Sequence, residues 1–389
     1  MINLIKDPHS LKAQTWKRFR RRKTAMFGLY CIGIIFLIAI YAPFIANNQA
    51  FLIILDGSIS FPFLQAYFAP LTPEAILDRI YNFIAFYLLV VLLSSFIPYK
   101  TVRKIIRILL FLLILMPFFL CKPILNRNIK NEKQSENSSF VISSPVPYGP
   151  NEQTGAPYQH PSSKHILGTD KVGRDVLSRI IYGARISLAV GIFAVGLSLS
   201  IGIFIGLTAG YKGGLYDLIL MRIVEIVICF PTFLLLLILM TLMLDKGGSQ
   251  SILLVALVIG LTGWTGVARL VRGEVLKQKT LAYVTAAQVL GFSHFRIMFR
   301  HILPNVSAPI LVSATFGIAG AILAETGLSF LGFGVQPPTA SWGELVNQAL
   351  VYPLGYYHLT LWPGFIIFFT VTIFNLVGEG LRDAFDIRS

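Results

Sequence analysis

Charged residues are scarce in this chain: 13% of its 389 residues are Asp, Glu, Lys or Arg, whereas 55% are hydrophobic. Soluble domains are about 25% charged, and the mean hydropathy of +0.71 is typical of proteins that cross a membrane several times. Because a segment in lipid must satisfy its own backbone hydrogen bonds, long apolar runs predict helices. The composition excludes a soluble domain and predicts an all-α polytopic membrane protein.

The residues that carry most enzymatic and metal chemistry are also few. The three cysteines, Cys31, Cys121 and Cys229, lie far apart in apolar runs, which excludes a disulfide framework and a CxxC metal site. The six histidines form no H-E-x-x-H pair, and the chain has neither a G-x-x-x-x-G-K-[ST] phosphate loop nor a G-x-S-x-G turn. We expect no catalytic residue, no cofactor and no metal.

Lys and Arg are absent from 47–78 and 326–360 and concentrated elsewhere. Residues 1–24 hold eight of them against one acid, directly before an apolar run. The net charge of +15 alone would allow nucleic-acid binding. Since basic flanks of membrane spans stay in the cytoplasm, their position instead indicates a cytoplasmic N-terminus and no nucleic acid partner.

Eight apolar runs predict about eight transmembrane helices, six in a core and two in an inserted hairpin at about 80–121. The runs are 25–46, 80–98, 105–120, 186–208, 218–244, 252–270, 309–324 and 361–377. An even number of spans places both termini in the cytoplasm. The hairpin belongs to a predicted outer insertion, 47–164, whose Pro/Gly/Ser-rich part, 122–163, is typical of a disordered loop.

Three features of the spans predict local structure. Gly202, Gly206 and Gly210 recur every four residues, which favours close packing of one helix face. Pro231 lies inside the 218–244 run and predicts a kink. Residues 176–182 have apolar residues at helical spacing and predict a helix along the outer surface, before the 186–208 span.

Two groups of charges have structural interpretations. Arg222 and Glu225 are three residues apart, so we expect them to bridge on one helix rather than form an ion pathway. Asp170, Arg174 and Asp175 are expected in turn and capping roles.

The segment 274–305 is basic and polar between apolar segments. A helix is predicted over 276–290, ending at Gly291, and Ser293 is expected to cap a second helix that ends near Pro304. We interpret this helix–Gly–helix elbow as a cytoplasmic segment that binds another protein.

The elbow also carries a family resemblance. YVTAAQVLG at 283–291 and RHILPN at 300–305 resemble the signature loop of binding-protein-dependent ABC importer permeases. Thr285 stands where that loop usually has Glu. The coupling positions that the resemblance implies are Thr285, Ala286, Ala287, Gly291, Arg300, Leu303 and Pro304.

Further motifs resemble the C-type permease of oligopeptide and dipeptide importers. They lie at 167–188, 210–225, 328–346 and 378–386. The first contains the family positions Gly168, Asp170, Gly173, Arg174 and Asp175, whose role is left open. Residues 44–47 and 56–67 are similar to Yej-type peptide permeases of the same family.

The resemblance implies a type I ABC importer transmembrane domain over 165–389, with coupling loop 274–305, in the bacterial inner membrane. It implies a second permease subunit, two ATP-binding cassette ATPase subunits and an external peptide-binding protein as partners. Peptides are the expected cargo. Nickel, opines, glutathione and microcin-like peptides remain alternatives, as do a non-transporting scaffold or receptor and a self-contained channel.

Overall fold

The computed structural model describes most of the chain. The described residues are 11–55, 58–68, 74–96, 99, 101, 103–104, 107–111, 138–245 and 252–386. The chain forms two compact units. Unit 1 comprises Met1–Gly33, Ser187–Val335 and Phe365–Ser389, and unit 2 comprises Ile34–Ile186 and Gln336–Gly364.

Helices make up most of the described structure. The helices are α1 Leu11–Arg21, α2 Lys23–Ile40, α3 Ala42–Ile45, α4 Pro62–Phe68, α5 Ala75–Ser94, α6 Val176–Lys212, α7 Gly214–Ile228, α8 Thr232–Asp245, α9 Ile252–Lys279, α10 Ala282–Val289, α11 His294–Arg296, α12 Ser307–Phe330, α13 Trp342–Gln348 and α14 Tyr357–Phe385. A π-helical segment, Ile297–Ile302, follows α11, and a 3₁₀ turn, Ala349–Val351, follows α13. Three short strands, β1 Leu52–Leu55, β2 Ser58–Ser60 and β3 Ser138–Ile142, form one antiparallel sheet in the order β2-β1-β3.

Within the described residues, six helices are long and apolar enough to cross a membrane: α2, α5, α6, α9, α12 and α14. A bent pair, Gly214–Cys229 and Thr232–Leu242, passes the same test as a broken seventh span. These elements agree with seven of the eight predicted spans. The remaining one, 105–120, lies largely outside the described residues, although 107–111 are helical. The prediction of an all-α polytopic membrane protein is confirmed, with one small sheet that the sequence did not indicate.

Two of the predicted elements differ in detail. Residues 176–182 do not form a separate surface helix, because α6 continues without a break through 37 residues. At Pro231 the predicted kink is a break, and the helices on its two sides meet at 86°. Pro231 has no backbone N–H to donate to a preceding turn, which explains why the helical hydrogen bonds stop there.

In unit 1 the three regularly spaced glycines of α6 face α9, as predicted. A Cβ at Gly202 would lie 2.6 Å from Val267 Cβ, and one at Gly206 would lie 2.6 Å from the carbonyl oxygen of Ala268. A Cβ at Gly210 would lie 2.8 Å from Val275 Cβ. The absence of side chains therefore allows the two helices to touch along three successive turns.

The N-terminal helix of unit 1 packs on the end of α14. Phe19 is 2% exposed and belongs to one apolar cluster with Ala25, Val377 and Ala384. Arg22 forms an ion pair with Asp383 beside this cluster. The basic segment therefore precedes the first span in sequence and also packs on the last turns of α14.

In unit 2 the segment before α6 is more ordered than its composition indicates. Residues 122–137 lie outside the described residues, but 138–142 form strand β3 and Val146 is buried with Ala42 and Ile181. The Ser144 hydroxyl donates to the carbonyl oxygens of Asn47 and Val146, at 2.8 and 2.7 Å. These hydrogen bonds to backbone carbonyl oxygens order the segment, although its sequence has no regular pattern of apolar residues.

Arg185 of α6 connects the insertion helix α5 to the end of α2 within unit 2. Its guanidinium donates to Asp78 at 2.8 Å and to the side-chain oxygen of Asn82 at 2.9 Å. It also donates to the carbonyl oxygens of Ala39 and Ile40, at 2.6 and 3.0 Å. A helix end leaves its last carbonyls without partners, so this buried arginine supplies the missing donors to α2.

Candidate coupling site

The elbow begins where α9 ends. The predicted helix over 276–290 is wrong in one respect: α9 continues to Lys279, and α10 starts separately at Ala282. Leu281 has extended backbone angles, φ −79° and ψ 145°, which a continuous helix does not allow. The Thr280 hydroxyl donates to the carbonyl oxygen of Lys277 at 3.0 Å and caps the end of α9. The elbow therefore has two turns rather than one.

The second turn is at Gly291, as predicted. Gly291 has φ +73°, in the left-handed region that glycine adopts without strain. Its N–H donates to the carbonyl oxygen of Gln288 at 2.9 Å, and the N–H of Phe292 donates to that of Ala287 at 3.2 Å. This pair of bonds is a Schellman motif, which ends α10. Ser293 then caps α11, accepting from the N–H of Arg296 at 3.4 Å.

The inner side of the elbow is packed on the long helices of unit 1. One apolar cluster joins elbow residues to α6 and α9; its buried members include Val284, Ala287, Ile297, Met298 and Ile302 from the elbow, and Tyr211, Val271 and Val275 from α6 and α9. Polar contacts meet at the Tyr211 hydroxyl, which lies 3.1 Å from His294 Nδ1 and 3.3 Å from Gln288 Nε2. The elbow is therefore packed against the ends of two membrane helices.

The outer side of the elbow exposes large apolar side chains. Val289 and Leu290 at the end of α10 are 82% and 71% exposed, and Phe295 is 63% exposed. Thr285 and Ala286 are exposed on the same helix. Because the elbow is predicted to lie in the cytoplasm, lipid does not account for these exposed apolar side chains, and they predict a docking surface.

The structure separates the two alanines of the motif. Ala286 is exposed, but Ala287 is 4% exposed and lies in the apolar cluster beneath α10. Of these two predicted coupling positions, only Ala286 therefore lies on the exposed surface of α10. Successive helix positions point about 100° apart, so Ala287 can face the cluster while Ala286 faces away from it.

The remaining motif positions lie on the second arm of the elbow. Arg300 and Pro304 are exposed and Leu303 is half-buried. Phe292, directly after the turn at Gly291, stacks on His301 of the second arm, with ring centroids 5.5 Å apart. Thr285 and Ala286 thus lie on α10 and Gly291 at the turn that follows it, whereas Arg300, Leu303 and Pro304 lie on the part of the elbow after that turn.

The second family motif, at 168–175, forms the start of a buried ionic cluster in unit 2. Asp170 accepts from the backbone N–H groups of Val172 and Arg174, at 3.0 and 2.9 Å, and from Arg174 Nε at 2.6 Å. Asp175 accepts from the N–H of Ser178 at 2.8 Å and caps α6, and its other oxygen lies 2.9 Å from His165 Nδ1. The predicted turn and capping roles are confirmed.

The two glycines of this motif are required by close backbone contacts. Gly168 and Gly173 have φ +80° and +83°. A Cβ at Gly168 would lie 2.5 Å from the carbonyl oxygen of Gln159, and one at Gly173 would collide with that of Gly155. Only glycine fits either position.

Three further members of the ionic cluster were not predicted: Arg179, Glu344 and Gln348. The buried Arg179 guanidinium donates to Glu344 at 2.7 Å and to the carbonyl oxygen of Pro150 at 2.9 Å. Gln348 donates to the other oxygen of Glu344 at 2.6 Å. The S-x-x-E pattern at Ser341 marks a helix start, and Ser341 does accept from the N–H of Glu344 at 3.1 Å. Nothing local indicates that Glu344 pairs with Arg179.

Comparison with known proteins assigns the chain to a family. Residues 202–389 match the family described as binding-protein-dependent transport system inner membrane component. The dipeptide transport system permease protein of Bacillus subtilis is 45% identical over 227 residues, which are 58% of this chain and 69% of that protein. The chain belongs to this family of ABC importer permeases. It is a membrane permease subunit with several spans, and the predicted resemblance is confirmed.

Two more relatives and a match to a second family model support the assignment. The oligopeptide transport system permease protein of Bacillus subtilis is 43% identical, covering 58% of this chain and 72% of that protein. A glutathione transport system permease protein of Pectobacterium atrosepticum is 42% identical, covering 58% and 73%. Residues 10–73 match the N-terminal TM domain of oligopeptide transport permease C. Residues 74–201 lie between the two family matches, and they include α5 and β3.

Proposed function

We propose that this chain is one of two permease subunits of a bacterial inner-membrane importer of peptides. The second permease subunit completes the pathway, two ATPase subunits supply the driving force, and an external binding protein delivers the peptide. Both termini and the elbow lie in the cytoplasm, and the segment before α14 and the parts of 47–164 that flank its transmembrane hairpin lie outside. The relatives named as dipeptide and oligopeptide permeases support the cargo, and the basic N-terminus supports the orientation.

The observation that carries the proposal is the two-sided elbow. Its inner side is fixed to α6 and α9, while Val289, Leu290 and Phe295 on its outer side are exposed. The sequence has no phosphate-binding loop, so ATP must act through another chain. Contacts made by the outer side transmit the motion of that chain to the two long helices. Closure of the ATPase subunits then shifts the permease between inward-open and outward-open states.

A pair of matched variants tests the docking surface. Val289 and Val351 are both 82% exposed, but Val351 belongs to the 3₁₀ turn of unit 2 and lies outside the elbow. We expect Val289→Asp to prevent co-purification of the ATPase subunits because it places an uncompensated charge in an apolar contact. Val351→Asp should leave that co-purification unchanged. Equal retention of the ATPase subunits by both variants would refute elbow docking.

The cargo is tested on the complete importer. The chain is co-expressed with the products of adjacent genes, purified together with them, and placed in liposomes with the loaded binding protein. Peptides should stimulate ATP hydrolysis and accumulate inside. Genes for a second permease, ATPases and a binding protein beside this one favour import over a scaffold or receptor. A complex that assembles but never hydrolyses ATP in response to any cargo would refute the proposal.

A glutathione importer is the second candidate. It is favoured by the 42% identity to a permease that carries that name in Pectobacterium atrosepticum. Glutathione and dipeptides both have free carboxylate and ammonium groups, so the membrane chain alone does not separate them. Stimulation of ATP hydrolysis by glutathione but not by dipeptides or oligopeptides would select this candidate.

A further inference from the structure

Helix α7 carries an ion pair on an exposed face. Arg222 Nη1 lies 2.8 Å from Glu225 Oε2, and the two side chains are 72% and 58% exposed. The predicted bridge between them is thus confirmed. Arg222 lies four residues after the start of the predicted 218–244 span, or about 6 Å along the axis at 1.5 Å per residue, so the pair lies inside the broken span near its predicted cytoplasmic end.

The face opposite to the ion pair is the packed one. Val224 is completely buried against Trp264 and Ala268 of α9. At 100° per residue, Arg222 and Glu225 lie about 160° and 100° around the helix from Val224. Cys229 follows Glu225 by one turn and is also exposed. The exposed face therefore continues from the ion pair to a free thiol at the end of α7.

Lipid is an unfavourable neighbour for this face. Ionised side chains inside a membrane face a protein interior or a water-filled cavity, because hydrocarbon solvates neither charge. The break at 229–231 leaves irregular backbone next to the same face, and such backbone is tolerated at membrane depth only inside protein or beside water. Two independent features thus indicate that the Cys229 end of α7 is not covered by lipid.

We propose that the Arg222–Glu225 face of α7 lines the aqueous pathway and binds the charged termini of the peptide in transit. The Arg222 guanidinium offers paired donors that match the geometry of a terminal carboxylate, and Glu225 accepts from a terminal ammonium. An exposed ion pair is only weakly favourable, so a zwitterionic cargo can exchange partners with it and leave again. This inference rests on the proposed peptide import and adds the site within the pathway.

The first test asks whether the face meets water. The complete importer is prepared with Cys31→Ala and Cys121→Ala, so that Cys229 is the remaining cysteine of this chain, and with any cysteines of the other permease subunit removed. A charged, membrane-impermeant methanethiosulfonate reagent should modify Cys229 in liposomes, and the transported peptide should slow that reaction. A version that keeps only the half-buried Cys31 gives the background rate. Labelling of Cys229 at that background rate in every nucleotide state would overturn the proposal, whether lipid or the second permease covers the face.

The second test asks whether the charges recognise the cargo. Arg222→Gln should lower uptake of a free peptide about tenfold, the loss expected for one charge-assisted hydrogen bond, and change uptake of its C-terminal amide little. Glu225→Gln should do the same for the free and N-acetylated peptides. Each uptake is divided by that of the unaltered importer with the same peptide, which removes the preference of the binding protein.

The exchanged double variant, Arg222→Glu with Glu225→Arg, separates recognition from helix stability. A purely structural bridge survives the exchange, so restored uptake would overturn the proposal. Continued loss of uptake with intact assembly supports it. Failure of the unaltered importer to take up any peptide would instead refute the proposed function, which keeps the two conclusions distinguishable.

Discussion

The ionic cluster of unit 2 and the elbow of unit 1 use charged and polar residues in opposite ways. In the cluster Asp170, Arg174, Arg179 and Glu344 are buried and their hydrogen bonds are made within the chain. In the elbow the Lys277 side chain is 72% exposed and pairs with Glu274. Buried charges without partners are severely destabilising, whereas exposed ones cost little. The buried charges of the cluster therefore depend on one another, whereas the elbow keeps its charged side chains on the surface, where another molecule can contact them.

The largest effect is expected in the cluster. Arg179→Ala should lower the free energy of unfolding by about 3–5 kcal/mol, because it removes the cation that contacts the buried Glu344 at 2.7 Å and leaves only the more distant Arg174, at 4.0 Å. The thermal unfolding midpoint of the purified protein in detergent measures this loss. Arg179→Lys should recover only part of it, since a single ammonium cannot replace the four contacts that Arg179 makes to Glu344, Pro150, Pro338 and Thr339.

The helix caps Asp175 and Ser293 compare the stability contributed by a buried cap and by an exposed one. Asp175→Ala should cost about 1–2 kcal/mol, because the buried carboxylate both caps α6 and contacts His165. Ser293→Ala at the exposed start of α11 should cost about 0.5 kcal/mol, since its cap bond is 3.4 Å long and water can replace it. Asp175→Asn, which keeps a cap oxygen, is the control. Equal losses for the two alanine variants would contradict the contrast between the regions.

At Gly291 the expected effect is on coupling more than on stability. A Cβ would meet no atom within 4 Å, so Gly291→Val introduces only the left-handed backbone strain, about 1–2 kcal/mol. We expect ATP hydrolysis to continue while peptide uptake falls, because α10 ends in the wrong direction. Gly291→Asn tolerates φ +73° and should remain coupled. Tight coupling in the valine variant, with its ATPase subunits still bound, would show that this turn does not transmit motion.

The smallest effect is expected from the exposed pair at the start of the elbow. Lys277→Ala removes the contact to Glu274 and should change the free energy of unfolding by about 0.5 kcal/mol or less. Urea or thermal unfolding in detergent, run beside Arg179→Ala, gives the contrast directly. A loss for Lys277→Ala comparable to that for Arg179→Ala would mean that the elbow charges also stabilise the fold.

Much of the elbow could be predicted because its signals are local. Gly291 ends α10 and Ser293 caps the next helix through bonds that span at most five residues. The sequence does not indicate the break between α9 and α10, because Thr280 and Leu281 are compatible with a helix; in the structure Val275 and Val284, on the two sides of the break, pack in one apolar cluster with Tyr211. The inward position of Ala287 likewise depends on the helix orientation, which a motif does not contain.

The sequence by itself determined that this is a membrane protein, where seven described spans lie, and where Gly, Pro and Ser turn or cap the backbone. These properties arise from hydropathy and from steric rules that act within a few residues. Only the tertiary structure decided that Arg179 pairs with Glu344, 165 residues away, that Arg185 caps the end of α2, and that Arg222 and Glu225 face outward. Charges pair according to which helix faces the fold brings together, and no local rule contains that information.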